Sequence, residues 1–273
     1  MTAASRFDDP AFLALARELS AHTGVSLESY KPKCLRRRIM VRMRAVGVHT
    51  YDEYRDFLAR SPEELSRLND AITINVTRFY RNPEAWSSVE EKVLPTLLAG
   101  EAPVRAWSAG CAGGEEAYTL TMLWATACSA HPRRIGALSV DATDIDRTSL
   151  ARARAGRYPP EAFVEAPPAV IERWTRVDDD ARVVVEDLKR LVQVSKLDLT
   201  QSTYPKGIYD LVCCRNVVIY FDRALQERLF MAFHDALRPG GFLVLGKVET
   251  LVGPARDRLK LVDVRERIYQ RSA

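Results

Sequence analysis

Paired cysteines, clustered histidines, long apolar runs and an excess of one charge are all missing from this 273-residue chain. The five cysteines (Cys34, Cys111, Cys128, Cys213 and Cys214) are odd in number, and none stands in Cys-x-x-Cys spacing. That argues against a disulfide framework and against the usual zinc ligands, and it reads as reduced thiols in a cytoplasmic protein. His22, His49, His131 and His234 are far apart, so no metal is expected. No apolar run approaches the ~20 residues of a membrane-spanning helix. Residues 1–9 lack the apolar core of a secretion signal. With 40 Lys and Arg against 36 Asp and Glu, the net charge of +4 is too small by itself to imply nucleic acid or a membrane surface. There is no internal repeat, and no glycine between Arg157 and Lys206.

What is present suits a globular protein. Hydrophobic residues make up 47%, an ordinary share. The length allows one large domain, or a core of about 180 residues with a smaller partner. Residues 8–99 read as helical. Asp8 or Asp9 caps a helix with Pro10 in its first turn, running to about Thr23. A second helix spans about 32–46 and ends at Gly47. A third starts at Tyr51, with Thr50 as cap and Glu53 at capping-box spacing. Ser61 and Pro62 open a fourth. From Val104 the pattern changes to short apolar runs at 104–109, 137–143, 191–195, 208–214 and 242–246, with two more at 259–262 and 266–270. Alternation of such runs with helical stretches predicts an α/β fold with a parallel-type sheet. The alternation breaks between Tyr158 and Val192, where an insertion of small strands or helices fits.

The richest stretch is 104–120. A strand-like run meets Gly110, Gly113 and Gly114 and opens into a helical segment headed by Glu115 and Glu116. This strand–turn–helix plan brings backbone close to a nucleotide-like ligand. Acid at the helix N-terminus repels phosphate and suits an ammonium group. S-adenosylmethionine, with an adenosine, an ammonium and no phosphate, is therefore preferred to NAD or ATP.

Other positions carry two readings each. Asp144, 30 residues past Gly114, either accepts ribose hydroxyls or caps the next helix, a task that Asp146 fits better. Asp198, with Leu199 presenting backbone, either meets an adenine amino group or is a plain loop residue. Arg215 and Asn216 end an apolar strand, where open α/β sheets bind ligands, and both are costly to bury without partners. Cys213 and Cys214 before them read as packed core. In ITINVTRFYR, residues 72–81, the polar Asn75, Thr77 and Arg81 are threaded among apolar neighbours. They are either site residues or capping side chains of a linker. Residues 31–44 hold seven basic side chains and no acid, with Arg38 and Arg42 one turn apart and Arg44 beyond. This is either a solvated helix face or a docking surface for an acidic partner. Trp86, Trp107, Trp124 and Trp174 read as packing.

Taken together, these stretches resemble the chemotaxis receptor glutamate methyltransferases, the CheR family. The resemblance rests on ITINVTRFYRNPEAW, RAWSAGCAGGEEAYTL, DATDIDRTSLARARAGRY and YDLVCCRNVVIYFDRALQERLFMAFHDALRPGG, and it runs from about residue 12 to 270. It implies a helical receptor-docking domain with linker over 1–85 and a Rossmann-like methyltransferase domain over 86–273, with a small β-subdomain inserted near 159–192. It implies that Asn75, Thr77, Arg81, Glu116, Asp144, Asp198, Leu199, Arg215 and Asn216 meet S-adenosylmethionine. Arg81 and Tyr220 are implied to orient the accepting carboxylate, and Arg38, Arg42 and Arg44 to dock the receptor. The partner implied is the cytoplasmic part of a methyl-accepting chemoreceptor, met by a monomer without nucleic acid, metal or membrane insertion. The chain departs from the family at Ala117, where proline is common, and at Lys247 and Val248, where His-Ser is common. The absence of glycine after Arg157 favours docking that does not use a receptor-tail pentapeptide. Two other readings compete: a methyltransferase acting on RNA or a small molecule, and a non-catalytic S-adenosylmethionine sensor.

Overall fold

The computed structural model describes residues 9–23, 27–72, 77–201 and 203–272. The chain divides into two compact units, Met1–Asn75 with Tyr220–Leu225, and Val76–Ile219 with Gln226–Ala273.

The first unit contains helices α1 (Pro10–Thr23), α2 (Pro32–Ala45), α3 (Tyr51–Arg60) and α4 (Pro62–Ile72). The starts of α1, α3 and α4 follow from side chains that satisfy orphan amides, whereas α2 opens on Pro32 with no side-chain cap. Asp9 Oδ1 accepts from the Ala11 amide at 3.0 Å. Thr50 and Glu53 form a reciprocal capping box, and Ser61 Oγ accepts from the Glu64 amide at 3.3 Å. The helices bury Leu15, Leu19, Leu35, Ile39, Tyr54, Leu58 and Leu68.

One buried carboxylate joins three of these helices. Glu64 in α4 is 3% exposed. It accepts from Arg42 Nε at 3.0 Å and Arg42 NH2 at 2.5 Å in α2, and from the Tyr54 hydroxyl at 2.8 Å in α3. Burial pushes its pKa up, but the bonds from Arg42 and Tyr54 outweigh that and hold it below the ordinary glutamate value.

This changes the reading of the basic run. Arg38 and Arg42 are not free charges on a docking face. Arg38 is 7% exposed, donates to the Ile72 carbonyl and sits 4.5 Å from the centre of the Tyr220 ring. Arg42 is committed to Glu64. The helix repeat, read from sequence alone, does not say which basic side chains point inward. The outward face of α2 carries Lys33, Arg37 and Arg44 around the exposed apolar pair Met40 and Val41.

The second unit begins with α5 (Pro83–Lys92) and α6 (Leu94–Ala99). Then follow β1 (Val104–Ala109), α7 (Glu115–Ala127), β2 (Leu138–Asp144), α8 (Arg147–Ala155), β3 (Arg157–Tyr158), α9 (Pro168–Trp174), β4 (Thr175–Asp178) and β5 (Ala181–Val184). The chain continues with α10 (Glu186–Lys189), β6 (Val192–Lys196) and β7 (Tyr209–Cys214). Last come α11 (Arg223–Ala236), whose first residues belong to the helical unit, then β8 (Leu237–Leu245), α12 (Ala255–Arg258), β9 (Leu259–Asp263) and β10 (Ile268–Arg271).

A seven-stranded sheet runs in the order β6-β2-β1-β7-β8-β10-β9. Its first five strands are parallel, and β10 is antiparallel to both neighbours. The central strand β7 is almost wholly buried, as its apolar run requires. The insertion forms a separate antiparallel sheet, β3-β5-β4. Trp86, Trp107 and Trp124 are each 2% exposed or less. Each finds an acceptor for its indole N–H: the Arg81 carbonyl, Thr143 Oγ1, and the Arg134 and Ile135 carbonyls. Cys213 and Cys214 lie in the core, where burial pushes both thiols well up, so they are inert packing.

Because Glu64 is held below its ordinary pKa, its stabilising contribution is fully present above about pH 4.3 and is lost as the pH falls through the lower folded value. Glu64→Ala should cost about 3 kcal/mol, since it strands Arg42 and Tyr54, and Glu64→Gln should cost less. Amide hydrogen exchange across α2–α4 measures this: faster exchange in Glu64→Ala at pH 7, converging with the parent chain at acid pH, is the expected result.

Candidate functional site

The carboxyl ends of the parallel strands β1, β2, β6, β7 and β8 deliver the candidate residues, the edge at which open α/β sheets bind ligands. After β1 the chain turns sharply through residues 110–114. Gly114 is left-handed at φ +91°, and a Cβ on Gly113 would fall 2.4 Å from the Arg152 guanidinium. Neither position accommodates a side chain without displacement. The turn is fastened to the end of β2, where the Thr143 carbonyl accepts from the amides of Gly110 and Cys111 at 2.8 and 2.9 Å.

Asp144, the last residue of β2, completes that fastening. Its Oδ2 accepts from the Ala112 amide at 2.8 Å and its Oδ1 from the Asp146 amide at 2.9 Å. Burial pushes its pKa up, and these amides work against the rise. The carboxylate keeps acceptor capacity for a further donor. Asp146 takes the capping role, accepting from the amides of Thr148 and Ser149 at the start of α8.

Glu116 in the first turn of α7 accepts from Ser108 Oγ at 2.7 Å, and its other oxygen lies 3.9 Å from Arg215 NH1. Burial raises its pKa, and Arg215 opposes the rise. Its neighbour Glu115 is buried against Arg152 at 3.5 Å. Past β6, Asp198 Oδ1 receives both the amide and the hydroxyl of Thr200 at 2.7 Å, while Oδ2 is buried with no partner among the described residues. Leu199 is buried beside it.

Arg215 and Asn216 end β7 differently from one another. Arg215 donates to the Arg81 carbonyl at 2.7 Å and to Asn82 Oδ1 at 3.3 Å. Its guanidinium lies 4.8 Å from the centre of the Trp86 ring, and its Nε is unpartnered. One nitrogen of the guanidinium is thus committed to the linker that carries Arg81. Asn216 is left-handed at φ +61°, and its buried Oδ1 has no partner among the described residues. Thr77 and Arg81 are half-buried in the same unit. Asn75 falls outside the described residues. Tyr220 belongs to the helical unit, where it is half-buried beneath Arg38.

Two supporting residues have no strong signature in the sequence. Ser108 orients Glu116 from within β1. Glu249, 2% exposed, accepts from the amides of Asn216, Val217 and Gly246 at 2.9, 2.9 and 2.6 Å, fixing the left-handed turn at Asn216. An acid three residues past Gly246, just after an apolar strand, is the only clue to it.

Among the described residues Asp198 Oδ2 and Asn216 Oδ1 are orphan acceptors, and Glu116 and Asp144 are carboxylates with spare acceptor capacity. Such a set fits a ligand that brings an ammonium, an exocyclic amine and sugar hydroxyls, as S-adenosylmethionine does.

Comparison with known proteins agrees with this chemistry. Residues 75–268 match the model of the CheR methyltransferase SAM binding domain, and residues 10–73 match its all-alpha domain. The chain is 32% identical to a chemotaxis protein methyltransferase of Borreliella burgdorferi, over 84% of each chain. It is 32% identical to the chemotaxis protein methyltransferase of Listeria monocytogenes, over 89% of this chain and 91% of that one. It is also 34% identical to an uncharacterized 104.1 kDa protein of Rhodobacter capsulatus, of which it spans only 26%. A helical unit, a sheet whose carboxyl end gathers acceptors, and two matched domains that together cover most of the sequence place this chain in the CheR methyltransferase family, with an S-adenosylmethionine-binding domain.

Proposed function

We propose that this chain transfers a methyl group from S-adenosylmethionine to glutamate side chains on the cytoplasmic helices of a chemoreceptor, in chemosensory adaptation. The observation that carries the reading is the concentration of acceptors at the carboxyl end of the sheet: Glu116, Asp144, Asp198 Oδ2 and Asn216 Oδ1. These suit a cationic, donor-rich ligand and repel a phosphate. In this reading Glu116 receives the ammonium, Asp144 the ribose hydroxyls, and Asp198 with Leu199 the adenine edge. Asn75, Thr77, Arg81, Arg215 and Asn216 complete the set. The names of the Borreliella and Listeria relatives support the chemotactic substrate class.

When bound, S-adenosylmethionine supplies a methyl group made electrophilic by its sulfonium. The acceptor needs no general base or metal, because a glutamate with a pKa of about 4.3 is already ionised at pH 7. The work left to the protein is alignment and exclusion of water. Arg81 and Tyr220 orient the acceptor carboxylate and leave one oxygen free. A tight grip by Arg81 would lower nucleophilicity, so its role is positioning rather than activation. The outward face of α2, with Lys33, Arg37 and Arg44 around Met40 and Val41, suits a helix that offers acids beside apolar residues. The glycine-free stretch after Arg157 supports docking without a receptor-tail pentapeptide. The protein is taken to act as a cytoplasmic monomer.

Transfer of label from S-adenosylmethionine to receptor-bearing membranes, followed by alkaline release of methanol, tests the reaction. Asp144→Ala should weaken S-adenosylhomocysteine binding by roughly 1–3 kcal/mol. Titration calorimetry showing unchanged affinity would remove Asp144 from the cofactor set. Tyr220→Phe keeps the ring under Arg38 and deletes only the hydroxyl, so turnover should fall further than cofactor affinity. A loss confined to cofactor binding contradicts its assignment.

Reversing Arg37 and Arg44 to Glu should raise the receptor KM several-fold. It should also flatten the KM's salt dependence, since exposed charges are screened beyond about 8 Å at physiological ionic strength. Affinity for S-adenosylhomocysteine should not move. A wild-type KM and salt profile in that double variant would leave the α2 face as ordinary solvated surface.

A further inference from the structure

Arg81 stands between two residues in the left-handed region, Tyr80 at φ +55° and Asn82 at φ +57°. Neither is glycine, and for a bulky tyrosine this conformation is strained. Strain of this kind persists only where the surroundings fix the backbone from several directions. Here the Tyr80 amide donates to Thr119 Oγ1 at 3.1 Å, and the Arg81 carbonyl receives Arg215 NH2 at 2.7 Å and Trp86 Nε1 at 3.1 Å. Two further ties come from the insertion. The Phe79 amide donates to the Ala162 carbonyl at 2.9 Å, and the Asn82 amide donates to Glu165 Oε2 at 2.8 Å.

Asn82 is the residue that caps α5, yet its side chain makes no capping bond. Its Oδ1 is engaged by Arg215 instead. Its left-handed amide therefore depends on a carboxylate brought from 83 residues away. The other oxygen of Glu165 meets Arg78 at 3.4 Å, a pair half open to solvent and so of small weight. The bond from the Asn82 amide is charge-assisted and lies one residue from Arg81.

We propose that Glu165 is a positioning residue for Arg81: by holding the Asn82 amide it locks the strained turn that presents the arginine, making the insertion a working part of the methyltransferase rather than an appendage. The consequence for turnover rests on the methyl transfer proposed above, whereas the consequence for the turn does not.

The experiment compares the full chain with Glu165→Ala and Glu165→Gln. A glutamine oxygen can still accept from the Asn82 amide, whereas alanine cannot. Three quantities are read: amide exchange of the peptide covering residues 79–84, S-adenosylhomocysteine affinity by calorimetry, and kcat and KM for methylation of receptor-bearing membranes. Glu165→Ala should speed exchange in that peptide and lower kcat by about tenfold, as expected for loss of alignment. Exchange in α7 should stay as it was, and cofactor affinity should change less than kcat. Glu165→Gln should restore both readouts most of the way.

Wild-type exchange in Glu165→Ala overturns the proposal. So does a parallel fall in kcat, cofactor affinity and melting temperature that Gln does not rescue, because that marks Glu165 as a brace for the insertion alone. If the parent chain binds S-adenosylhomocysteine but methylates no receptor, the substrate reading fails. The exchange arm, with its Gln rescue, then still decides whether Glu165 holds the turn.

Discussion

Burial of carboxylates at the carboxyl end of a parallel sheet is the constraint on which the rest of the second unit depends. Glu116, Asp144 and Glu249 are all pushed upward in pKa by burial. Among the described residues none has a close lysine or bidentate arginine to neutralise it. Asp144 and Glu249 are held mainly by backbone amides, Glu116 by Ser108 and a distant Arg215. Amides compensate a buried charge only when the chain presents them at the right angle. That requirement shapes the turns: Ala112 is left-handed where it serves Asp144, and Asn216 where it serves Glu249. The loops are thus moulded around carboxylates. A site built this way retains acceptor capacity for a cationic, donor-rich ligand.

The same economy of partners explains why several arginines do not do what their charge suggests. Arg215 follows the central strand, but one of its guanidinium nitrogens serves Arg81 and Asn82. Arg38 and Arg42 lie in a basic run, yet one stacks on Tyr220 and the other satisfies Glu64. In each case the guanidinium is held by backbone carbonyls, a buried acid or an aromatic ring. The two units employ the device separately, the helical one to set α2 against α4 and the sheet unit to set the linker.

The inserted segment is woven into the site rather than hung from it. The Tyr158 hydroxyl donates to the Gly113 carbonyl at 2.7 Å, and its ring packs edge-on against Phe79 with centroids 4.9 Å apart. Phe163 stacks on the same Phe79 at 4.2 Å. The aromatic group therefore touches the glycine turn and the Arg81 linker at once, and it buries the junction between them.

Much of this was legible beforehand, and for a physical reason. Helix starts at Pro10, Tyr51 and Pro62 depend on side chains within three residues, so Asp9, Thr50, Glu53 and Ser61 announce them. The strands depend on apolar runs, and the glycine turn on the backbone freedom of Gly110 and Gly114. Arg215 and Asn216 could be singled out because polar residues ending a buried strand are costly without partners, Asp144 because a glycine turn precedes it, and Asp198 only by its place after a strand. The sequence alone thus determined the elements, the sheet order's general type and the acids at its edge. Tertiary structure alone decided which basic side chains of α2 turn inward, that Arg215 serves the linker, and that Glu249 and Glu165 support turns far from them in sequence. Each of those depends on a hydrogen bond between residues 22 to 134 positions apart. No local pattern of residues encodes such a bond, because the two partners meet only when the chain has packed.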